Sequence, residues 1–494
     1  MFLGIDIGTS SVKAVLTDAG GSDGGGVGAG TVAGSASRPC TVSRLHPQWS
    51  EQEPEDWVAA AIAAVDELAE RQPAALAAVL GIGFSGQMHG AVLLGRDNQV
   101  LRPAILWNDG RSHRQCATLE ETLPTLRTIS GNIAMPGFTA PKLLWVAEEE
   151  PEVFAALAKV LLPKAYVRWR FTGAMVEEMS DASGTLWLDV ARRGWSDELL
   201  AATRMTRAHM PELAEGSDAV ARLSPDLARR WGMREPPVVA GGAGDCAASA
   251  VGLGAITPGD GFLSLGTSGV LWRTTDRFLP NPAMAVHAFC HALPGVWHQM
   301  GVMLSSAASL AWAASTLDAP EAELLAPLGD AVDGPSPVAF LPYLSGERTP
   351  HNDATIRGLF AGLSAETGRD ALVQAVLEGV AFAARDNLVA LGEGADAPTS
   401  LDLAGGGSRS RLWARICADV LGVTIHRIED GEVGAALGAA HLGRMAATGE
   451  SPAAVCRKPR RLESFTPDPA RAEAYSRAWL RWRRLHPLAK EFAT

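Results

Sequence analysis

Two stretches of this chain carry the same device, and their repetition constrains the fold more than any other feature. Phe2 to Ile7 is an apolar run carrying one acid, Asp6, that breaks into Gly8-Thr9-Ser10 before a second apolar run, Val12 to Leu16. Phe262 to Leu265, Gly266-Thr267-Ser268 and Gly269-Val270-Leu271 repeat the order strand, Gly-Thr-Ser turn, strand. Each reads as a β-hairpin whose tight turn offers backbone N–H groups and hydroxyls. Such turns cradle phosphate oxygens, and an acid beside one can hold a divalent cation through oxygen ligands. An acid inside a strand is costly to bury without a partner, which speaks against an incidental Asp6. The echo implies an internal duplication in which each half supplies one phosphate-facing hairpin.

The second half adds glycine-rich breaks of its own. Val238–Gly244 is a strand running into Gly241-Gly242-Ala243-Gly244-Asp245, again strand, glycines and one acid. Leu401–Ala404 leads into Gly405-Gly406-Gly407 and a helix over Arg411–Leu421. Three glycines let backbone approach a flat ligand, and the start of the following helix favours phosphate. Gly434–Ala440 is a small-residue helix suited to close packing between domains. In the first half, a strand over Ala78–Phe84 ends in Ser85-Gly86-Gln87-Met88-His89-Gly90, the kind of strand end where α/β folds place ligands. Helices are expected over Glu55–Glu70, Pro151–Leu161, Ser196–Met205 and Pro469–Leu480. Ala19 to Ser37 holds eight glycines and reads as a flexible loop lengthening the first hairpin. It lacks the Lys-Ser/Thr ending and following helix of a P-loop.

Composition bounds the rest. At 494 residues the chain exceeds what one core organises, so two or more domains are expected. The net charge of −12 argues against nucleic acid or an anionic membrane as the main partner. Six scattered cysteines without a CxxC pair indicate neither a zinc site nor a disulfide framework. No signal peptide and no membrane-spanning run are read, so the cytoplasm is the expected compartment.

Several long motifs then converge on a family. Gly137-Phe138-Thr139-Ala140-Pro141-Lys142-Leu143-Leu144-Trp145-Val146-Ala147-Glu148-Glu149 resembles the first signature of the FGGY carbohydrate kinases, within the actin-like superfamily. Gly358–Leu363 through Ala375–Glu378 resembles the second, departing at Ala371, where that signature has a polar residue. Gly86–Gly90, Ala104–Arg111 and Phe340–His351 are similar to the members that act on D-xylulose. The resemblance runs from Met1 to about Gly443, leaving out the glycine-rich insertion.

It implies two ribonuclease H-like α/β domains, 1–237 and 238–494, with a catalytic cleft between them and Asp6 and Asp245 facing each other across it. It also implies transfer of a phosphoryl group from ATP to D-xylulose, or alternatively to another pentulose or pentitol. Asp245 is then the general base, and Asp6 acts through Mg²⁺, by way of coordinated water. Gly8, Thr9, Ser10 and Lys13 would hold phosphates from the first half, Gly266 and Thr267 from the second, with Gly406 and Gly407 along adenosine. Met88, His89, Trp107 and Asn108, with Asp245, are the expected sugar contacts. Cys246 departs from the family's amide at that position, and a thiol replaces an amide's hydrogen bonds only weakly. A homodimer is the family-based expectation for assembly.

Overall fold

The computed structural model of the chain describes residues 1–19, 32–392, 394, 397–429 and 434–492. Most of the glycine-rich stretch, residues 20–31, lies outside them. The expected loop ends earlier than Ser37, because Val32–Pro39 is already a strand paired with the second strand of the hairpin.

Two seven-stranded sheets organise the molecule. The first contains β1 (Phe2–Ile7), β2 (Ser11–Thr17), β3 (Val32–Pro39), β4 (Gly81–Gly86), β5 (Ala219–Arg222), β6 (Val238–Ala240) and β7 (Ala243–Gly244). β1, β2 and β3 run antiparallel in sequence, while β4 lies parallel to β1 and β6 parallel to β4. β7 continues the pairing along β4, setting Gly244 beside Gly86. Helix α1 (Pro54–Arg71) packs on β2 and β3. Proline in its first turn, followed by Glu55 and Asp56, suits a helix start with its unpaired N–H groups. Its Trp57, Ala61, Ala64, Val65 and Leu68 are buried at helical spacing. Helix α2 (Asp245–Gly252) follows β7 directly.

The second sheet contains β8 (Gly261–Leu265), β9 (Gly269–Thr275), β10 (His287–Cys290), β11 (Trp297–Met303), β12 (Ser400–Ala404), β13 (Thr424–Ile428) and β14 (Arg461–Phe465). Its hairpin β8–β9 has β12 parallel to β8 on the other side, as β4 lies beside β1. The expected duplication is therefore present in the sheets. One difference matters: Ser264 occupies in β8 the place that Asp6 holds in β1.

α3 (Arg369–Leu391) and α4 (Arg411–Leu421) cover the second sheet. α5 (Gly434–Thr448) does not: it returns across β1 and β4 of the first sheet and along α2. The glycines permit this. A Cβ at Gly83 would stand 1.8 Å from Ala439 O, and one at Gly438 would stand 1.8 Å from Ala248 O. α6 (Pro469–Trp482) packs on α4, with Tyr475, Trp479 and Trp482 in the core of the second half.

The division expected between residues 237 and 238 falls inside the first sheet. β6 and β7 extend β4 and must stay with it to satisfy their backbone groups. The break between sheets lies between α2 and β8, and α5 crosses back over it. Elsewhere the helix expected over Pro151–Leu161 ends at Ala156, and Lys159–Leu161 is a strand. Among the described residues no helix is long and apolar enough to cross a membrane.

Candidate active site

β1 delivers Asp6 and β7 delivers Asp245 to one place. Asp6 stands next to Lys13 in the hairpin and Ser85 on β4, whose hydroxyl donates to Asp6 Oδ1 at 2.7 Å. Asp245 opens α2, and its Oδ1 accepts the Cys246 N–H at 2.7 Å. Burial raises the pKa of both acids, and the Asp6 charge helps carry Asp245 up to about 6. Mutual repulsion of this kind requires proximity, as expected for acids across one cleft. A cavity of about 410 Å³ lies there, lined by Asp6 and Lys13 from the first hairpin, Cys246 and Ser249 from α2, and Ser264 and Gly406 from the second half. The Cys246 thiol donates to Asp245, so its one strong interaction is with the acid.

A larger cavity of about 1120 Å³ opens on the second half, bounded by Gly266, Thr267, Ala308, Gly406, Gly407 and Trp413. Gly406 borders both cavities. The three glycines are not equivalent. A Cβ on Gly407 would meet Leu265 Cβ at 2.7 Å, and Gly405 has φ +78° with Leu265 carbonyl carbon 2.8 Å from its own Cβ position. Only Gly406 faces open space, its nearest neighbour being Arg409 Nη2 at 3.5 Å. Gly407 thus lines the cavity with backbone alone.

In the first turn, the Gly8 N–H donates to Ser11 O at 3.0 Å, and Ser10 is exposed. The Thr9 hydroxyl is committed elsewhere. It accepts from Trp107 Nε1 at 2.9 Å and donates to Gln87 Oε1 at 2.8 Å. Its side chain ties the turn to the Gln87–His89 segment, and only the backbone of Thr9 remains for a phosphate.

That segment packs against the backbone leading into Asp245. Met88 rests against the backbone ahead of Asp245, since a Cβ at Gly244 would lie 2.8 Å from Met88 Cγ. His89 holds φ +70°, a left-handed conformation that a non-glycine residue keeps only when its surroundings over-determine it. Those surroundings are identifiable. Its carbonyl accepts from Thr139 Oγ1 at 3.1 Å and Lys142 Nζ at 2.9 Å, and its ring stands edge-on to Phe138 at 4.7 Å. His89 Nδ1–H donates to Gly184 O at 2.6 Å, which leaves Nε2 as an acceptor. Burial, with smaller contributions from Lys142 and Arg348, holds the imidazole neutral by lowering its pKa to about 3.

Trp107 is 44 % exposed beside the Thr9 turn. Asn108 is not brought to Met88 and His89. It is exposed on a separate hollow with Leu45, His46 and Trp49. Asp109 shapes the turn: its carboxylate accepts from Ser50 N at 2.6 Å and from the Arg111 guanidinium at 2.7 and 2.9 Å.

Two buried groups escaped the sequence reading of the site. Lys142 lay inside a quoted signature without a stated task, and its task is to hold the His89 backbone. Lys164 lies within 2.8 Å of Glu177, 3.1 Å of Glu178 and 3.5 Å of Asp181, all of them buried. Glu178 Oε1 also accepts the Gly244 N–H at 3.1 Å, so this cluster holds the backbone one residue before Asp245. The three carboxylates would suit a metal ion in spacing, and the Lys164 ammonium occupies that place.

Known proteins resemble this chain along nearly its whole length. Residues 1–252 match the N-terminal domain of the FGGY family of carbohydrate kinases and residues 261–447 its C-terminal domain. The chain is 47% identical to the xylulose kinase of Escherichia coli over 98% of each sequence, and 48% identical to that of Klebsiella pneumoniae over 96% of each. The crystal structure of a xyloylose kinase from Brucella ovis superposes with a TM-score of 0.94 at 49% identity, covering 99% of both chains. With both domains matched in order and near-complete relatives at this identity, the chain belongs to the FGGY family of carbohydrate kinases, which have the actin-like fold.

Proposed function

We propose that this protein transfers the terminal phosphoryl group of ATP to the terminal hydroxyl of D-xylulose, giving D-xylulose 5-phosphate. The observation that carries the reading is the proximity of Asp6 and Asp245, with Asp6 and Cys246 lining one cavity and Met88 packed on the backbone just before Asp245. The relatives named xylulose kinases support the choice of sugar.

Phosphoryl transfer asks a protein for positioning, charge neutralisation and an acceptor for the hydroxyl proton. Asp245 is placed to take that proton, and its pKa of about 6 leaves it ionised at neutral pH while keeping it a better base than an ordinary carboxylate. Lys13 borders the smaller cavity and Gly266 the larger one, Gly406 borders both, and the larger is suited to adenosine with the phosphates reaching toward Lys13. Asp6 fits a magnesium site: it is a buried acid with raised pKa, facing a second acid, so that a cation would relieve both. Such an ion, held by one carboxylate and otherwise by water and phosphate, supplies charge neutralisation. A cytoplasmic location and a homodimer belong to the same reading, and the homodimer rests on the family resemblance.

The deciding experiment supplies ATP and Mg²⁺ with a panel of pentuloses, pentitols and glycerol, and measures sugar phosphate formed. D-xylulose should give the highest kcat/KM; a pentitol or another pentulose in first place would overturn the substrate. Gly406→Phe should raise KM for ATP by about tenfold while KM for D-xylulose changes by less than about twofold, because only this glycine faces the open cavity. Equal rises in both would place adenosine elsewhere. Asp6→Asn should lower kcat/KM for ATP by about tenfold, with part of the loss recovered at high Mg²⁺. A loss indifferent to Mg²⁺ would remove Asp6 from the metal site.

A further inference from the structure

Arg348 lies between the strands Ala339–Leu341 and Leu359–Ala361 of the second half, and its guanidinium is deeply enclosed while keeping some exposure. Burial lowers its pKa. A cation in such a place normally has a carboxylate partner, yet among the described residues none makes an ion pair with it. Its neighbour Glu347 turns away: Oε1 accepts the N–H groups of Leu304 at 3.0 Å and Arg348 at 2.7 Å, and burial pushes its pKa up to about 8. Among the described residues its guanidinium has one side-chain hydrogen-bond contact, His287, whose Nε2 is 3.5 Å from Arg348 Nη1, and the Glu347 charge offsets part of the burial.

The surroundings connect this guanidinium to the proposed sugar contacts. His287 packs on Phe138 at 5.6 Å and Phe289 at 5.4 Å between ring centres, and His89 packs on the same two rings at 4.7 and 6.4 Å. The Arg348 charge acts on both imidazoles. The order along this row is therefore Asp245, Met88, His89, then His287 with Arg348.

Hydrogen-bond polarity is fixed along that row. Asn132 Nδ2 donates to Ser130 O and Ala288 O, so its Oδ1 accepts, and the His287 nitrogen 3.0 Å from it, Nδ1, carries the hydrogen. His287 Nε2 and His89 Nε2 thus both accept, whereas a guanidinium only donates. A carbonyl oxygen only accepts, and its flanking hydroxyls have protons to give. Resting on the proposed reaction, a sugar with its terminal hydroxyl at Asp245 puts its other end at Arg348.

We infer that Arg348, held by His287, is a specificity-determining residue that receives the C2 carbonyl end of an open-chain ketose, with His89 Nε2 accepting from a hydroxyl beside it. In a pentitol a hydroxyl replaces the carbonyl; its oxygen can accept from Arg348, but its added proton needs an acceptor, and His89 Nε2 already takes one from a flanking hydroxyl. The site accordingly favours ketose over polyol, because the ketose matches donors to its carbonyl while the polyol brings one proton too many for the acceptors present.

The test measures kcat and KM for D-xylulose, xylitol and ATP in the wild type, Arg348→Met and Arg348→Lys. Arg348→Met should raise KM for D-xylulose by at least about tenfold, lower the ratio of kcat/KM for D-xylulose over xylitol by a similar factor, and leave KM for ATP within about twofold. A merely structural arginine would depress both sugars alike and leave the ratio unchanged, which overturns the inference, as does an unchanged KM for D-xylulose. Arg348→Lys keeps the cation but not the fork of donors; should the methionine variant not fold, a ratio lowered by about threefold or more in the lysine variant supports the inference and an unchanged ratio overturns it. If the wild type prefers a ketose other than D-xylulose, the proposed substrate falls. The same ratio on that ketose and its own polyol then decides for or against Arg348.

Discussion

Asp245→Asn should lower kcat on D-xylulose by about 100- to 10,000-fold, the usual contribution of a placed general base, with KM for the sugar changed by no more than about threefold. The amide keeps the shape and can still accept the Cys246 N–H, now 2.7 Å from Oδ1, so the start of α2 should survive the change. What disappears is the capacity to take up the hydroxyl proton as it leaves oxygen. The pH profile adds an independent reading. The pKa of Asp245 is raised to about 6, first by burial and then by the Asp6 charge, and the base works only in its ionised form. Rate must therefore fall as pH drops through about 6, and kcat/KM for D-xylulose in the free enzyme should show that acid limb. In Asp245→Asn the limb should vanish along with the rate. His89 is the next candidate if the variant keeps nearly full turnover, but it cannot generate the same limb. Its pKa is held near about 3, and its Nδ1–H is donated to Gly184 O.

How much of this was legible in the sequence depends on whether a residue's role is set locally. The two hairpins were readable because each is a continuous apolar run broken by Gly-Thr-Ser, and the pairing of β1 with β2 is decided by those few residues. Asp6, Asp245 and Gly406 carry chemistry or freedom of approach that stands out beside glycines. The membership of Val238–Gly244 in the first sheet was not readable, since it depends on pairing with Gly81–Gly86 far away in the chain. Side-chain direction was equally hidden. Gly406 and Gly407 look identical in sequence, and only the backbone shows that one faces space and the other Leu265. Thr9 and Asn108 suited ligand contact by residue type; the first spends its hydroxyl on Trp107 and Gln87, and the second lies on another surface. The Lys164 cluster could not be seen because its partners are ordinary acids until the fold encloses them.

That cluster carries the largest expected effect on stability. Lys164 is fully buried, and although burial alone would lower its pKa, the carboxylates of Glu177, Glu178 and Asp181 outweigh it and raise the value. Arg168 is the other buried cation nearby, and it is bonded to the carbonyls of Gly241 and Val176 rather than to the acids. Lys164→Met keeps most of the side-chain volume but leaves three enclosed carboxylates without their ammonium. Breaking a buried pair in this way costs about 3–5 kcal/mol, to be read as a lower urea midpoint at unchanged m. The pH dependence identifies the cause. Burial already raises the pKa of Asp181, while the Lys164 charge holds it down; without that charge it rises further. An acid whose folded pKa lies above its unfolded value weighs against the fold once pH exceeds the unfolded value, and the penalty fades as pH falls back toward it. The deficit of Lys164→Met should therefore be greatest at neutral pH and shrink as the solution is acidified. Lysine itself stays charged in both states across that range and contributes no slope. A deficit that is constant with pH would assign the loss to packing alone. Turnover should fall too, since Glu178 would no longer be held to accept the Gly244 N–H, and the backbone leading into Asp245 would lose its anchor.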